Sequence, residues 1–206
     1  MTGALPMIDT LAALRALYPE PTGRAVNKQL SALDVHCTNF IALSPFVVLA
    51  TNGRAGALDA SPRGGAPGFV KTQGAHSLLI PDAPGNNRLD SLTNIIETGR
   101  IGLLFMLPGV DETLRINGTA RLSQQAELLQ RFANEKRAPR LVIEVQVQEA
   151  YLHCAKAFMR SSLWDDSARV ARSVLPSMGQ MINDQTGGDA PPETQAQMRQ
   201  RYAADL

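Results

Sequence analysis

Two short polar loops carry the residue types best suited to chemistry in this chain, Asp59-Ala-Ser-Pro-Arg-Gly-Gly65 and Pro81-Asp-Ala-Pro-Gly-Asn-Asn-Arg-Leu-Asp-Ser91. Each sets an arginine beside small hydroxyl or amide side chains, Arg63 with Ser61, and Arg88 with Asn86, Asn87 and Ser91. A guanidinium offers a fork of donors matched to phosphate, and hydroxyls, amides and free backbone N–H groups can fill the remaining acceptor sites. The second loop leads into a helical pattern near Arg88, and a helix N-terminus adds partial positive charge. The two loops read as a phosphate cradle. Neither Gly-x-Gly-x-x-Gly nor Gly-x-x-x-x-Gly-Lys-Ser/Thr occurs, so the cradle would belong to an architecture other than a Rossmann or Walker-type fold.

Other candidates are less specific. Arg115 lies beside Asn117 on the polar side of an alternating segment, either facing solvent or lining a cleft and donating to ring carbonyls or nitrogens. Lys156, Arg160 and Trp164 recur at i, i+4 and i+8, which on a helix makes either a surface stripe or a cationic and aromatic wall beside a planar anion. His36-Cys37 and His153-Cys154 echo one another, but adjacent residues point apart on a helix and to opposite faces of a strand. No Cys-x-x-Cys or His-x-x-x-His spacing accompanies them, so they read as packed thiols and histidines, and no metal is assigned. No Gly-x-Ser-x-Gly elbow or clustered carboxylate pair is present. An anion cradle without a hydrolytic apparatus points to a cofactor that supplies the chemistry.

The elements that must position these residues are short. Asp9 is placed to cap a helix bearing Leu11, Leu14 and Leu17, and further helical stretches are expected near residues 23–33 and His36 to Leu43. Phe46 to Thr51 is β-rich, Asn52-Gly53 is a turn signal, and Ala57 to Ala60 returns as the hairpin partner that delivers Ser61 and Arg63. Phe69-Val70 and Ser77 to Ile80 read as strands. Arg88 to Thr98 reads as a helix with Leu89, Leu92, Ile95 and Ile96 on one face, closed by Gly99. Arg100 to Leu107, Thr113 to Leu122 and Leu141 to Leu152 are the remaining strands. Helices are expected over Gln124 to Asn134, capped by Ser123, over Lys156 to Trp164 and over Met178 to Gln185. A Gly187-to-Pro192 linker and a polar tail follow. Hairpin-linked strands with helices between some pairs favour a mainly β, α+β architecture, a small antiparallel barrel with peripheral helices, over a doubly wound parallel sheet.

The 206 residues, 44% hydrophobic and 19% charged, suit one large domain with appendages. The boundaries are expected at a 1–44 helical lead-in, a 45–165 barrel and a 166–206 helical tail. A net charge of +1 argues against nucleic acid or an anionic membrane as partner. With no long apolar run and two cysteines, Cys37 and Cys154, a cytoplasmic location with free thiols is expected.

In combination, several segments resemble the FMN-binding split barrels of the pyridoxamine 5'-phosphate oxidase-like family, and within it a bacterial branch of flavin-nucleotide-binding proteins. They are Ser44-Pro-Phe-Val-Val-Leu-Ala-Thr-Asn-Gly53, Asp59-Ala-Ser-Pro-Arg-Gly64 and Leu79-Ile-Pro-Asp-Ala-Pro-Gly-Asn-Asn-Arg-Leu-Asp90. Further along come Gly102-Leu-Leu-Phe105, Pro108-Gly109, Glu112-Thr-Leu-Arg-Ile-Asn-Gly118 and His153-Cys-Ala-Lys-Ala157. The resemblance spans roughly residues 34–185. It implies a six-stranded antiparallel split β-barrel assembled as a homodimer, with FMN at the subunit interfaces. The FMN phosphate would fall to Ser61, Arg63, Asn87, Arg88 and Ser91, and the ring would lie along Leu58, Asp59 and Ala60. Arg115 would reach the ring edge, and Lys156, Arg160 and Trp164 would approach from the partner subunit.

The chain departs from true pyridoxamine-phosphate oxidases at its C-terminal side. Arg160-Ser-Ser-Leu-Trp164 is followed by Asp165-Asp166, without that group's arginine- and histidine-bearing substrate motif. The resemblance therefore implies an FMN-dependent oxidoreductase of unknown small-molecule substrate or nicotinamide donor, and not vitamin B6 oxidation. A flavin sensor or carrier without turnover is the alternative, and a flavin-free barrel for another phosphate or a haem-like anion is the third.

Overall fold

Period-two alternation of apolar and polar residues sets the strands, and it decides which side chains face the core and which face outward. The computed structural model describes residues 7–83, 85–188 and 191–203. The start of the lead-in, Pro84 of the second loop, residues 189–190 of the linker and the end of the tail lie outside the described residues. Seven strands appear: Phe46–Asn52 (β1), Leu58–Gly64 (β2), Lys71–Thr72 (β3), Ser77–Pro81 (β4), Arg100–Leu107 (β5), Val110–Ser123 (β6) and Val142–His153 (β7). They pair in the order β2-β1-β5-β6-β7-β4-β3, antiparallel throughout, and form a split barrel. The count is seven rather than the implied six because the two-residue β3 joins the edge.

The inner face is apolar on every long strand. Val47 and Leu49 of β1, Leu103 and Phe105 of β5, Leu114 and Ile116 of β6, and Ile143, Val145 and Val147 of β7 are buried in one cluster. Burying a leucine- or phenylalanine-sized side chain contributes about 1.5–3 kcal/mol relative to exposure, so this layer fixes the register. A one-residue slip would turn it out to solvent. The bulge between Asn117 and Gly118 depends on glycine, since a Cβ on Gly118 would collide with the Gln146 carbonyl.

Helices flank the strands along the chain. They are Leu11–Leu17 (α1), Arg24–Asn27 (α2), Val35–Leu43 (α3), Asp90–Thr98 (α4), Ala126–Gln130 (α5), Lys156–Ser161 (α6), Met178–Thr186 (α7) and Gln195–Ala203 (α8). The Asp34 carboxylate caps α3 by accepting from the Cys37 backbone N–H at 2.8 Å. That bond holds the Asp34 pKa below the ordinary carboxylate value. Through α3 the lead-in sends Cys37 and Ile41 into the barrel core, and burial pushes the Cys37 thiol up to about 11.

Several boundaries differ from the sequence reading, each for a local reason. Thr10, not Asp9, caps α1, accepting from Ala13 N–H at 3.1 Å. The stretch 23–33 is helical only over α2, because Leu30 exchanges both backbone hydrogen bonds with Ala150 of β7. The strand expected at Phe69-Val70 lies two residues later, those two side chains being buried in the core. In α4 Leu92 and Ile95 are buried, whereas Ile96 and the preceding Leu89 are exposed. The helix expected over Gln124 to Asn134 shortens to α5, with residues 131–134 in turns.

Candidate functional site

The sheet registers build a shelf on the outer face. Ala60 of β2 stands opposite Ala50 of β1, Ala50 opposite Gly102 of β5, and Gly102 opposite Asn117 of β6. Three small residues side by side leave a flat floor across four strands, about 14 Å wide at roughly 4.8 Å per inter-strand step. A Cβ at Gly102 would stand 3.3 Å from Asn117 Oδ1 and 3.7 Å from Ala50 Cβ, so glycine here keeps the floor low. This shelf is the bottom of a cleft of about 760 Å³ lined by residues that include Thr51, Leu58, Asp59, Ala60, Gly102, Asn117 and Gln148. That volume is in the range of cofactor clefts, roughly 300–1,000 Å³. A planar ring system fits a floor of this shape.

At the β2 edge the cleft meets a polar knot. Asp59, Ser61 and Arg63 alternate onto the inner side of β2, half-buried, where α4 covers them. Ser61 Oγ donates to the Asp59 carboxylate at 3.0 Å, and Ser91 Oγ, on the first turn of α4, donates to Asp59 Oδ2 at 2.5 Å. Arg63 Nη2 in turn reaches Ser91 Oγ at 3.4 Å. Asp82, at the end of β4, has its pKa raised by burial, with Arg63 and Arg140 pulling it back down. Arg63 is therefore a partly buried cation with carboxylates within its field and a hydroxyl in its grasp.

Loop and helix meet here through backbone geometry. Asn87 and Leu89 adopt left-handed φ values of 61° and 60°, and such positions cost free energy outside glycine unless the surroundings impose them. Arg88 between them does not join Arg63. Its Nε pairs with Asp90 Oδ2 at 2.8 Å on the surface, and Asp90 first, then Asp59, stabilise its charge. The expected cradle is thus assembled in part: Asp59, Ser61, Arg63 and Ser91 converge, while Asn87 and Arg88 stand exposed beside them.

The remaining expected site residues lie elsewhere. Leu58 and Ala60 line the cleft with Asp59. Arg115 is on the same outer face two residues from Asn117, where its Nη1 donates to Tyr151 Oη at 3.0 Å. The helix carrying Lys156 and Arg160 ends at Ser161, because Ser162 turns left-handed at φ 49°. Trp164 consequently leaves the helical stripe, stacks on Phe158 at 5.4 Å between centroids and donates Nε1–H to the Val110 carbonyl at 2.9 Å. Lys156 and Arg160 are exposed and do not line the cleft. Sequence reasoning missed the shelf residues Ala50 and Gly102 because alanine and glycine carry no chemistry of their own, and only the register aligns them. Among the described residues no group of three or more His, Cys, Asp or Glu could hold a metal ion, and no helix is long and apolar enough to cross a membrane.

Comparison with known proteins finds solved structures of low identity and one family match. The crystal structure of Group A Streptococcus HupZ matches with a TM-score of 0.50 at 14% identity, covering 58% of this chain and 93% of that one. A Clostridium acetobutylicum protein related to general stress protein 26, of the pyridoxinephosphate oxidase family, matches with a TM-score of 0.44 at 11% identity, covering 58% and 86%. An FAD-binding protein from Mycobacterium smegmatis matches with a TM-score of 0.43 at 12% identity, covering 60% and 97%. No curated protein sequence matches the chain. The sequence profile of the pyridoxamine 5'-phosphate oxidase family matches residues 33–154, more than half of the chain and all seven strands, and the chain therefore belongs to that family.

Proposed function

We propose that this protein binds flavin mononucleotide and works as an oxidoreductase on a small molecule or nicotinamide donor. The observation that carries the reading is the junction at Asp59, where a flat-floored cleft meets a knot of two hydroxyls and a guanidinium. The ring would lie on the Ala60-Ala50-Gly102 shelf beside Leu58 and Asn117. Its phosphate would take donors from Arg63, and from Ser61 and Ser91 once their hydroxyls turn away from Asp59, with Asn87 and Arg88 completing the shell from the loop before α4. Bound flavin supplies hydride exchange at its N5, so the chain itself needs no nucleophile. Its residues bind, orient and shield. Phe46, Val48, Leu104 and Met106 form a half-buried apolar stripe on the same outer face, and Leu58 is 86% exposed. This supports a homodimer closed over the cofactor, since exposed apolar stripes mark interfaces.

The test is the absorption spectrum and mass of whatever copurifies, followed by addition of NADH or NADPH. A yellow protein carrying FMN that bleaches with a nicotinamide donor is the expected result. Bound flavin that no donor reduces would make it a carrier or sensor. A colourless protein that FMN does not stabilise against heat would overturn the flavin reading.

A further inference from the structure

Two residues along β6 from the shelf, the outer face changes character. Arg115 donates to Tyr151 Oη at 3.0 Å and holds its guanidinium 5.7 Å from the centre of the tyrosine ring. Lys28 Nζ stands 5.4 Å from the same ring and donates to the Leu152 carbonyl at 2.8 Å. The His153 ring tilts against Tyr151 at 5.9 Å. Lys28 is brought here by the backbone bridge between Leu30 and Ala150, so the lead-in builds the cluster with β6 and β7. Among the described residues, no ion pair ties any of these three basic side chains. A carboxylate on that face, Glu149, already accepts from Asn117 Nδ2 at 3.0 Å and Gln29 Nε2 at 2.7 Å.

We propose that Arg115, Lys28 and His153, arranged around Tyr151, form a second anion site that receives the carboxylate or phosphate group of the molecule reacting in the neighbouring cleft. The two cations Arg115 and Lys28 repel each other across one aromatic, and an arriving oxyanion offsets that repulsion, gains a guanidinium fork and favours a proton on His153. The two-residue offset along β6 puts Arg115 about 7 Å from Asn117 of the cleft. An anionic group held there leaves the rest of a small substrate over the shelf. The lowered pKa of His153, which burial causes first and Arg115 and Lys28 reinforce, agrees with a site short of negative charge. The location of the reaction rests on the flavin reading, whereas anion binding can be measured without it.

The experiment follows the His153 ring by NMR in the intact protein as inorganic phosphate, and separately citrate, is added at constant ionic strength. His153→Gln assigns the signal. A saturable shift with an upward move of the His153 pKa is expected, stronger for whichever oxyanion the site prefers. Arg115→Gln and Lys28→Gln should each weaken the apparent affinity about tenfold or more, as loss of a charge-assisted contact implies. Arg115→Lys should weaken it less. Thermal unfolding of each variant confirms that it is folded. No saturable shift, or one unchanged in both glutamine variants, overturns the site. FMN binding without a phosphate response overturns the anion site alone, whereas a phosphate response in a protein that never binds FMN overturns the flavin reading alone.

Discussion

The knot on β2, which meets the cleft through Asp59, and the cluster on β6–β7, two residues along β6 from the cleft residue Asn117, both gather basic and hydroxyl groups, but they balance charge in opposite ways. In the knot, Asp59 takes the hydrogens of Ser61 and Ser91, and Arg63 completes the ring of contacts. In the cluster, Arg115, Lys28 and His153 share a single tyrosine and, among the described residues, no ion pair. A knot that satisfies itself keeps its shape without a ligand, because partly buried polar groups left unpaired cost about 1–3 kcal/mol each. A cluster that does not is open to a counter-charge from outside, its Arg115 and Lys28 being exposed. The first is suited to holding a resident cofactor in place, and the second to a molecule that comes and goes.

The comparison can be broken most sharply at the shelf. Gly102→Leu should abolish measurable FMN binding in an equilibrium titration while leaving the phosphate response of His153 intact, because the new side chain fills only the cleft floor. Arg63→Ala should weaken FMN about ten- to a hundredfold, the cost of one charge-assisted phosphate contact. Arg115→Gln should leave that constant within about threefold, a 0.6 kcal/mol difference. Asp59→Asn sharpens the knot in the other direction. Removing a negative charge beside the phosphate site should tighten FMN severalfold, while weaker hydrogen bonds from Ser61 and Ser91 lower stability by about 1 kcal/mol in denaturant unfolding. Arg88→Ala should cost less affinity than Arg63→Ala, since Arg88 must first leave its exposed pairing with Asp90.

The cluster should also show in the pH dependence of stability. The folded pKa of His153 lies below the ordinary 6.5. As pH falls, the unfolded chain therefore takes up the proton first, and stability present above pH 6.5 is lost as pH drops through the lowered folded value. His153→Gln should flatten that part of the profile, and added phosphate should do the same in the wild type by favouring the charged ring.

Much of this was legible in residue types. Alternation in Leu114-Arg115-Ile116-Asn117 puts arginine and asparagine on one face, and the polar loops single out Ser61, Arg63 and Ser91 together with Asn87 and Arg88, which stay exposed. Long-range pairing was not legible. Nothing local about Gln29-Leu30 says that the backbone there will bond to Ala150 of β7 rather than continue a helix, and without that bridge Lys28 has no reason to meet Tyr151. Ser162 is equally silent in sequence, yet its left-handed turn removes Trp164 from the stripe of Lys156 and Arg160. The shelf depends on register alone. Ala50, Ala60 and Gly102 become one surface only when three strands align.

The central claim, a flavin held by the shelf and the knot, is tested most directly by titrating FMN into apoprotein from the wild type, Gly102→Leu and Arg63→Ala, each shown to be folded. We predict binding in the wild type, none measurable in Gly102→Leu, and a ten- to hundredfold weaker constant in Arg63→Ala. Equal FMN affinity in all three proteins would contradict the account.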